Sequence, residues 1–300
     1  MKSKSISPLS CLVCRRRMGF IFSYHRYDYF RCSGCGLVTT SPYPTETAIL
    51  NHYRQKFKHG NYSLSRRYAA SYLKVYHHLA IRLVDYCRSH GLNPNESRLL
   101  DIGTFTGDFL EAASQQGLEV YGTELQPEAV KIANQKFPGR VFQANVLITT
   151  LPQKNFDIIT MLGLIEHLIN PDELIARVAK LLKPGGVLML QTPDSGSFLA
   201  RSLGKWWPPY APVEHIHLFS RPSLARLLQK NSFGSLVFMP HIKHLPISYI
   251  YQNMQNFGLE FYRLLKPLKP LITSLHFSLP FYGGEVILLA QKRSARTPKS

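Results

Sequence analysis

The chain has 300 residues, of which 45% are hydrophobic and 18% charged, a globular composition that excludes an intrinsically disordered protein and, at roughly 150 residues per domain, predicts about two domains. Its 36 Lys and Arg residues against 18 Asp and Glu give a net charge of +18, which favours nucleic acid, anionic lipid or a phosphorylated substrate as a partner. No stretch is long and apolar enough for a membrane span, and residues 1–10 lack the apolar core of a secretion signal, so we expect a cytoplasmic protein.

Two Cys-x-x-Cys pairs stand near the N-terminus: Cys11, Cys14, Cys32 and Cys35. This spacing is typical of a structural zinc ribbon, in which four thiolates complete the tetrahedron of one Zn²⁺ and leave no position for water. We expect Gly34 and Gly36 to permit the left-handed backbone of such a site. Two disulfides or a redox-active pair are the alternatives, although the first lacks a secretion signal and the second needs only one pair. Residues 1–44 are therefore interpreted as the ribbon.

The segment from Tyr62 to His90 has no Gly or Pro and spaces its apolar residues three and four apart. This pattern predicts a long amphipathic helix. We interpret it as the main part of a helical linker over residues 45–95, with Cys87 as a buried thiol. The polar stretch Gly91–Ser97 predicts the boundary loop before the next domain.

Apolar runs alternate with helical periods from residue 98 onward, which predicts an α/β domain over residues 96–300, with a parallel sheet and helices on both faces. The predicted strands are Leu99–Ile102, Glu119–Thr123, Val141–Gln143, Phe156–Leu162 and Val187–Gln191. One helix has particularly clear signals, because Pro171 can start it and Asn170 and Glu173 can form a capping box. Lys183–Gly186 marks its end.

The first of these strands leads into a glycine-containing turn, Asp101-Ile-Gly103-Thr-Phe-Thr-Gly107, where backbone amides can approach a ligand. The fingerprint of a nicotinamide enzyme would require glycine at positions 103, 105 and 108. This chain has Phe105 and Asp108 at the last two positions, which excludes the dinucleotide interpretation.

The Asp-x-Gly-x-x-x-Gly turn, followed at the end of the next strand by Gly122-Thr-Glu124-Leu, resembles class I S-adenosylmethionine-dependent methyltransferases. The resemblance covers about residues 96–291. It implies a Rossmann-like, seven-stranded, mostly parallel sheet, in which the last strand, here Gly284–Gln291, inserts antiparallel between its neighbours.

The resemblance also implies S-adenosyl-L-methionine as the cofactor, with its methionine moiety held at the glycine turn and both ribose hydroxyls bound by Glu124. A carboxylate suits two hydroxyl donors, and residues 96–195 are acidic, with 12 Asp and Glu against 8 Lys and Arg, which suits a sulfonium cation. The Asn145 side chain can reach the adenine amino group. The implied cofactor-binding residues are Asp101, Gly103, Thr104, Phe105, Gly107, Glu124, Leu125, Asn145, Leu162 and Gly163.

Two further motifs, one ending in Glu166-His167 and the other reading Glu214-His215-Ile-His217, match small-molecule methyltransferases of the same family, where they face the methyl group. A histidine can take the proton of an acceptor hydroxyl as the new bond forms. His167, His215 and His217 are therefore the candidate catalytic residues. The alternatives are a hydrogen bond that fixes the loop for His167 and a packing role for His217.

The ribbon and the methyltransferase-like domain together resemble a bacterial branch associated with sugar and polysaccharide methylation. This implies a sugar or related small-molecule acceptor, free, nucleotide-linked or lipid-linked, in glycan biosynthesis. Trp206, Trp207 and Tyr210 can either stack on a sugar or close the edge of the domain. One alternative is an RNA base methyltransferase that holds RNA with the ribbon and with Arg15–Arg17. Another is a scaffold with a vestigial donor site.

A basic, partly amphipathic insertion is expected at residues 242–282. Its apolar residues recur at threes and fours: Ile250, Met254, Phe257, Phe261, Leu264, Leu265 and Leu268. This predicts a short amphipathic helix with a basic end, followed by the uncharged segment Leu271–Tyr282. Two interpretations remain, a lid over the acceptor site or a contact with anionic lipid at the inner face of the membrane.

Overall fold

The computed structural model describes residues 9–45, 47–49, 51–52, 55, 69–151, 155–256, 262–275 and 277–294. Three parts of the sequence predictions, residues 62–68 of the long helix, Phe257 and Phe261, lie outside the described residues. In the described part of the chain, no helix combines the length and the apolar character needed to cross a membrane.

The strands of the described residues are β1 (Met18–Tyr24), β2 (Tyr27–Cys32), β3 (Val38–Ser41), β4 (Arg98–Ile102), β5 (Glu119–Glu124), β6 (Val141–Gln143), β7 (Phe156–Leu162), β8 (Leu182–Pro193), β9 (His217–Leu218), β10 (Phe233–Pro246) and β11 (Ser278–Lys292). The α-helices whose bounds lie within the described residues are α1 (Ala69–Ser89), α2 (Asp108–Ser114), α3 (Pro127–Lys136), α4 (Pro171–Leu181), α5 (Phe198–Leu203), α6 (Arg221–Lys230), α7 (Ile247–Asn256), α8 (Tyr262–Leu265) and α9 (Lys269–Ser274). Short 3-10 helices cover Pro94–Glu96, Ile165–His167, Gly204–Trp206 and Lys266–Leu268.

The large sheet has seven strands in the order β10-β11-β8-β7-β4-β5-β6. The five strands from β8 to β6 pair in parallel, whereas β11 is antiparallel to both of its neighbours, β10 and β8. The predicted Rossmann-like fold, with its last strand inserted antiparallel, is therefore confirmed. Because the parallel strands share one direction, their carboxyl ends meet at one edge, where the glycine turn and Gly163 also lie.

Helices cover both faces of this sheet, as predicted. Successive residues of a strand point to opposite faces. Leu99 and Ile158 accordingly lie in one hydrophobic core with α1 and α2, whereas the neighbouring Leu100 and Ile159 lie in the other core with α4 and α6. Helix α1 thus forms one layer of the α/β domain. This helix lies within the helical linker predicted for residues 45–95. The amphipathic pattern alone could not show that the helix packs on the sheet.

The N-terminal segment forms a second, four-stranded sheet in the order β1-β2-β3-β9. Its last strand comes from the α/β domain, with Val38 opposite Leu218 and Thr39 opposite His217. Ribbon residues also share a core with the large sheet, α4 and α6: Cys11, Met18, Phe30, Cys32, Cys35 and Leu37. The boundary after residue 44 therefore divides the sequence but not the hydrophobic core.

Two local predictions on the helix after β7 need correction. Helix α4 begins at Pro171 as expected, but the Asn170 side chain makes no capping hydrogen bond and Glu173 is exposed, so no capping box forms. The predicted stop, Lys183–Gly186, is already part of strand β8, which begins at Leu182 directly after the helix.

The insertion contains more elements than the single amphipathic helix predicted from the sequence. Helices α7, α8 and α9 follow one another with a 3-10 turn before α9, and the proline at 267 and that at 270 stand in the first turns of the 3-10 helix and of α9. Prolines are tolerated at such positions because the first N–H groups of a helix have no partner within it. They start new elements here rather than ending one.

Candidate active site

The turn after β4 is held by left-handed backbone and by hydrogen bonds to the neighbouring strand. Gly103 and Gly107 have φ values of +79° and +78°, and the N–H groups of Gly103 and Thr104 donate to the carbonyl oxygen of Thr123 at 2.8 and 3.0 Å. A methyl group added at Gly107 would lie 3.3 Å from the Cβ of Ala133. Only glycine meets both the backbone and the space requirement at this position.

Phe105 departs from these glycines because it adopts φ +50° although it carries a side chain. Phe105 is 38% exposed, and its N–H donates to Oε2 of Glu124 at 3.0 Å. This hydrogen bond helps to hold a conformation that residues with a Cβ rarely adopt.

Glu124 stands at the end of β5 and is fixed by the backbone around it. Its Oε1 accepts from the N–H groups of Leu125 and Gln126 at 2.7 and 2.9 Å, and its Oε2 accepts from Phe105. A carboxylate has about four lone-pair positions, so it can also accept from ligand hydroxyls. The carboxylate that was predicted to bind ribose is thus positioned beside the glycine turn.

Asp101, at the carboxyl end of β4, is 3% exposed. Its Oδ1 accepts a hydrogen bond from the Thr160 hydroxyl at 2.6 Å, but burial raises the pKa of Asp101 to about 6. A carboxylate buried in this way favours a cation nearby. The left-handed glycines, the fixed Glu124 and the buried Asp101 together fit S-adenosylmethionine, which carries hydroxyl donors and cationic groups.

The remaining predicted donor-site residues also follow strand ends. Leu125 follows β5 and is 60% exposed, and Asn145 is exposed two residues after β6, with its Oδ1 accepting from the Leu147 N–H at 3.0 Å. Leu162 ends β7, and Gly163 follows it with φ +65°. The Asn145 oxygen predicted to reach adenine thus already accepts a hydrogen bond within its own turn.

The two histidine motifs, distant in sequence, lie next to each other in space. The Ile216 N–H donates to the Glu166 carbonyl at 2.8 Å. The His167 Nδ1 donates to the Glu214 carbonyl at 2.6 Å, and the rings of His167 and His215 are 5.0 Å apart. A methyl group added at Gly103 would lie 3.4 Å from Leu164. The donor turn and the histidine motif after β7 are therefore neighbours.

Both histidines are held in one tautomer. The Nδ1 of His215 donates to the Pro209 carbonyl at 2.8 Å, as Nδ1 of His167 donates to Glu214. A carbonyl oxygen can only accept, so in each neutral ring Nδ1 carries the proton and Nε2 is the basic nitrogen.

Glu166 completes this cluster and was not among the predicted site residues. It is 2% exposed, its Oε1 lies 3.9 Å from Nε2 of His167, and its Oε2 accepts from the Thr192 hydroxyl at 2.9 Å. Burial raises the pKa of Glu166. The position of Glu166 directly before a candidate catalytic histidine was the sequence signal that could have identified Glu166 as a site residue.

His217 has surroundings different from those of the pair, and they fit the packing role that the sequence left open for it. It is fully buried, its Nδ1 lies 2.8 Å from the Thr39 hydroxyl, and its Nε2 lies 3.2 Å from the Ile169 carbonyl. Burial lowers the pKa of His217 to about 4. A neutral ring that donates from Nε2 and accepts at Nδ1 satisfies both contacts, so His217 connects β9 to the ribbon strand β3.

The aromatic residues after α5 differ in exposure, which bears on the two roles predicted for them, stacking on a sugar and closing the edge of the domain. Trp207 and Tyr210 are 1% and 5% exposed, and the Trp207 indole donates to the Gly283 carbonyl at 3.1 Å. They therefore close the edge of the domain. Trp206 is 65% exposed, with the Lys205 ammonium 4.8 Å above its ring.

The four ribbon cysteines converge on one point. Their sulfur atoms lie within 4.8 Å of one another, close to the spacing of roughly 3.8 Å that Zn–S bonds of about 2.3 Å impose in a tetrahedron. All are free thiols. The residue after each pair, Arg15 or Gly36, is left-handed with φ +62° or +77°, whereas Gly34 is not and instead donates its N–H to the Cys32 sulfur at 3.3 Å. The donor set fits one Zn²⁺.

Comparison with known proteins gives a family match over most of the α/β domain. Residues 71–234, more than half of the chain, match the model of a family described as "Methyltransferase domain". The ubiquinone biosynthesis O-methyltransferase of Idiomarina loihiensis is 30% identical over 125 residues, which are 40% of this chain and 49% of that protein. The enzyme of the same name from Xanthomonas campestris pv. campestris is 34% identical over 116 residues, 36% and 48% of the two chains. The chain spans about half the length of the curated relatives it matches.

Among solved structures, a provisionally named methyltransferase from Bacillus halodurans is similar with a TM-score of 0.50 and 18% identity, over 71% of this chain and 99% of that chain. At this identity the similarity supports the fold, which agrees with the strand order of the large sheet.

Proposed function

Because the chain belongs to the class I S-adenosylmethionine-dependent methyltransferases, as the family match over residues 71–234 shows, we propose that it methylates a hydroxyl group of a sugar or related small-molecule acceptor. The observation that carries this proposal is the pair His167 and His215, whose ring centroids lie 5.0 Å apart, with Leu164 of the His167 motif next to Gly103 of the donor turn. Two relatives named as O-methyltransferases support transfer to oxygen.

The donor turn and Glu124 would hold S-adenosylmethionine, which supplies an activated methyl group when bound. Methyl transfer is an in-line displacement, so alignment of the two reactants accounts for much of the rate, up to about 7–11 kcal/mol. Asp101, Gly103, Gly107 and Glu124 would fix the donor side of this alignment, and His167 and His215 would stand on its acceptor side.

The role proposed for the histidines is to accept the proton of the acceptor hydroxyl. Each ring presents Nε2 as the base because Nδ1 donates to a backbone carbonyl. Glu166 Oε1 lies 3.9 Å from Nε2 of His167, so an ionised Glu166 would stabilise the imidazolium that proton transfer creates there. His215 and His167 both remain candidates for the base.

The test is methyl transfer from labelled S-adenosylmethionine to nucleotide sugars, lipid-linked sugars and total RNA. With a sugar acceptor, we expect His215→Ala or His167→Ala to lower kcat by roughly 100- to 10,000-fold, with cofactor affinity unchanged. His78→Ala, an exposed histidine on α1, is the matched control and should retain full activity.

Two outcomes, one from the methyl-transfer experiment and one from calorimetry, would contradict the proposal. Label in RNA alone would favour the RNA base methyltransferase, a function for which the exposed Arg15–Arg17 of the ribbon would supply phosphate contacts. Failure to bind S-adenosylmethionine in calorimetry would instead favour the non-catalytic scaffold.

We further propose that the ribbon cysteines bind one structural Zn²⁺. The sulfur positions support this, and so does the burial of three of the four thiols. A closed set of four thiolates leaves no position for a substrate or water, so the role of the metal would be to hold the ribbon together.

A further inference from the structure

A cavity of about 520 Å³ lies between the ribbon and the α/β domain. One wall is the turn between β1 and β2, contributed by Tyr24, His25, Arg26 and Tyr27, and the other is the segment Ala211–Glu214, with His52 beside it. This volume is within the range of about 300–1,000 Å³ that small-molecule sites occupy. The cavity is therefore large enough for one or two sugar rings.

The cavity adjoins the histidine pair. Glu214 lines it, and the Glu214 backbone carbonyl accepts from Nδ1 of His167 at 2.6 Å. His215 is the next residue of the chain. A ligand in the cavity would thus lie next to the residue that holds Nδ1 of His167 and precedes His215 in the chain.

The lining side chains suit a polyhydroxylated ring. Tyr24 is 43% exposed, and its ring offers apolar surface to the C–H groups of a pyranose. The Glu214 carboxylate, 24% exposed and 3.6 Å from Nε2 of His52, can accept two sugar hydroxyls in charge-assisted hydrogen bonds. Arg26 lies over the Tyr27 ring with its guanidinium carbon 5.6 Å from the centroid, so a donor group stands beside the aromatic faces.

The same residues disfavour a nucleic acid or an aliphatic chain as the occupant of the cavity. A phosphate backbone would face the negative charge of Glu214. An aliphatic chain would remove water from the Glu214 carboxylate and the Arg26 guanidinium without offering either group a polar contact in return, which costs free energy on binding.

We propose that this cavity is an acceptor subsite that binds a hexopyranose ring distal to the methylated hydroxyl. The ribbon turn is thereby a specificity element, and the binding energy of the distal sugar contributes to aligning the reacting hydroxyl. This inference rests on the proposed function, because it requires that the acceptor contains a sugar.

The test is saturation-transfer NMR on the full chain with S-adenosylmethionine present. The probes are the methyl glycosides of glucose, galactose, mannose and rhamnose. We expect at least one probe to bind the wild type. Tyr24→Ala and Glu214→Gln should each lower the affinity for that probe by about tenfold or more. Phe20→Ala is the matched control, because Phe20 is an aromatic residue of β1 that is 54% exposed and does not line the cavity; it should bind the probe as the wild type does.

Calorimetry with S-adenosylmethionine verifies that each variant is folded. Absence of saturation transfer for all four glycosides in the wild type would overturn the subsite, as would equal signals in the wild type and both cavity variants. The two proposals can fail separately: bound glycosides without methyl transfer to any sugar would refute the proposed function alone. Methylation of a sugar with the same KM in the wild type and in Tyr24→Ala would refute the subsite alone.

Discussion

Glu124 connects the donor turn to the start of α3 through three backbone N–H groups, those of Phe105, Leu125 and Gln126. We expect Glu124→Ala to weaken S-adenosylmethionine binding by at least about 1.5–3 kcal/mol, because two ribose hydroxyls would lose a charged acceptor. The variant also leaves these N–H groups without their acceptor, so its stability should fall by about 1–3 kcal/mol. Isothermal calorimetry and urea unfolding measure the two effects.

Two further variants separate binding from folding at this position. Glu124→Gln keeps an acceptor oxygen for the backbone but removes the charge, so it should lose affinity with a smaller loss of stability. Glu128→Ala removes an exposed carboxylate of α3 that contacts the side chain of Gln126 and should change neither quantity. Unchanged affinity in both Glu124 variants would place the ribose contact elsewhere.

How far each site residue could be predicted depends on how local its signal is. Gly103, Gly107 and Glu124 belong to short motifs at strand ends, so spacing alone places them on one edge of a parallel sheet. The contact between Glu166 and Thr192 joins residues 26 positions apart on different elements. It depends on the pairing of β7 with β8, which no single motif specifies.

At the scale of elements, His217 in β9 makes the junction between the ribbon and the α/β domain sensitive to acid. Burial lowers its pKa from 6.5 to about 4, so the unfolded chain binds the proton more readily than the folded one. The neutral ring therefore contributes stability that is fully present above pH 6.5 and is lost as the pH falls towards 4, at most about 3 kcal/mol.

Urea unfolding at several pH values between 7.5 and 4.5 measures this effect. Asp101 acts in the opposite sense, because its raised pKa of about 6 makes the folded state bind the extra proton, so the useful quantity is the difference between the wild type and His217→Gln. We expect this difference to shrink as the pH falls. A difference independent of pH would show that His217 does not titrate in this range.

The ribbon is expected to contain one zinc ion per chain, measurable by elemental analysis of the purified protein. Metal binding supplies about 10–16 kcal/mol in zinc-finger peptides, and Cys11, Cys32 and Cys35 share a core with the large sheet. Cys32→Ser should therefore lose the metal and also lower the Tm of the α/β domain. Cys87→Ala, at a buried thiol of α1 outside the cluster, should keep the zinc. A metal-free wild-type protein with two disulfides would refute this prediction.

Element types were more predictable than their partners. The periodicity of α1 predicts a helix with one apolar face. The sequence around Leu83 does not indicate whether this helix is a linker between two domains or packs its apolar face on the sheet. The two-residue strand β9 has no periodicity at all, and its pairing with β3 appears only when residues 38–39 and 217–218 are brought together. The ribbon is therefore separate in sequence, although in the structure it shares the core of the domain.

At the scale of the whole molecule, the structure bears on the two interpretations of the insertion. A lid packed on the sheet would bury its apolar residues. Several of them are instead 37–59% exposed: Leu268, Leu271, Phe277, Leu279 and Phe281. Lys266 and Lys269 are exposed beside them. Apolar side chains next to basic ones favour an anionic lipid surface, which attracts each nearby Lys by about 1 kcal/mol.

We therefore expect the protein to co-sediment with vesicles that contain phosphatidylserine, to do so less at high salt, and to bind neutral phosphatidylcholine vesicles weakly. Since two attractive charges are lost, Lys266→Glu combined with Lys269→Glu should weaken binding to the anionic vesicles by about thirtyfold or more. Lys131→Glu, at an exposed position of α3, changes the net charge in the same direction without touching the insertion and should have a small effect. Equal binding to both kinds of vesicle regardless of salt, or binding to neither, would contradict the lipid interpretation. The insertion would then be interpreted as a lid that closes over the acceptor site when the acceptor binds.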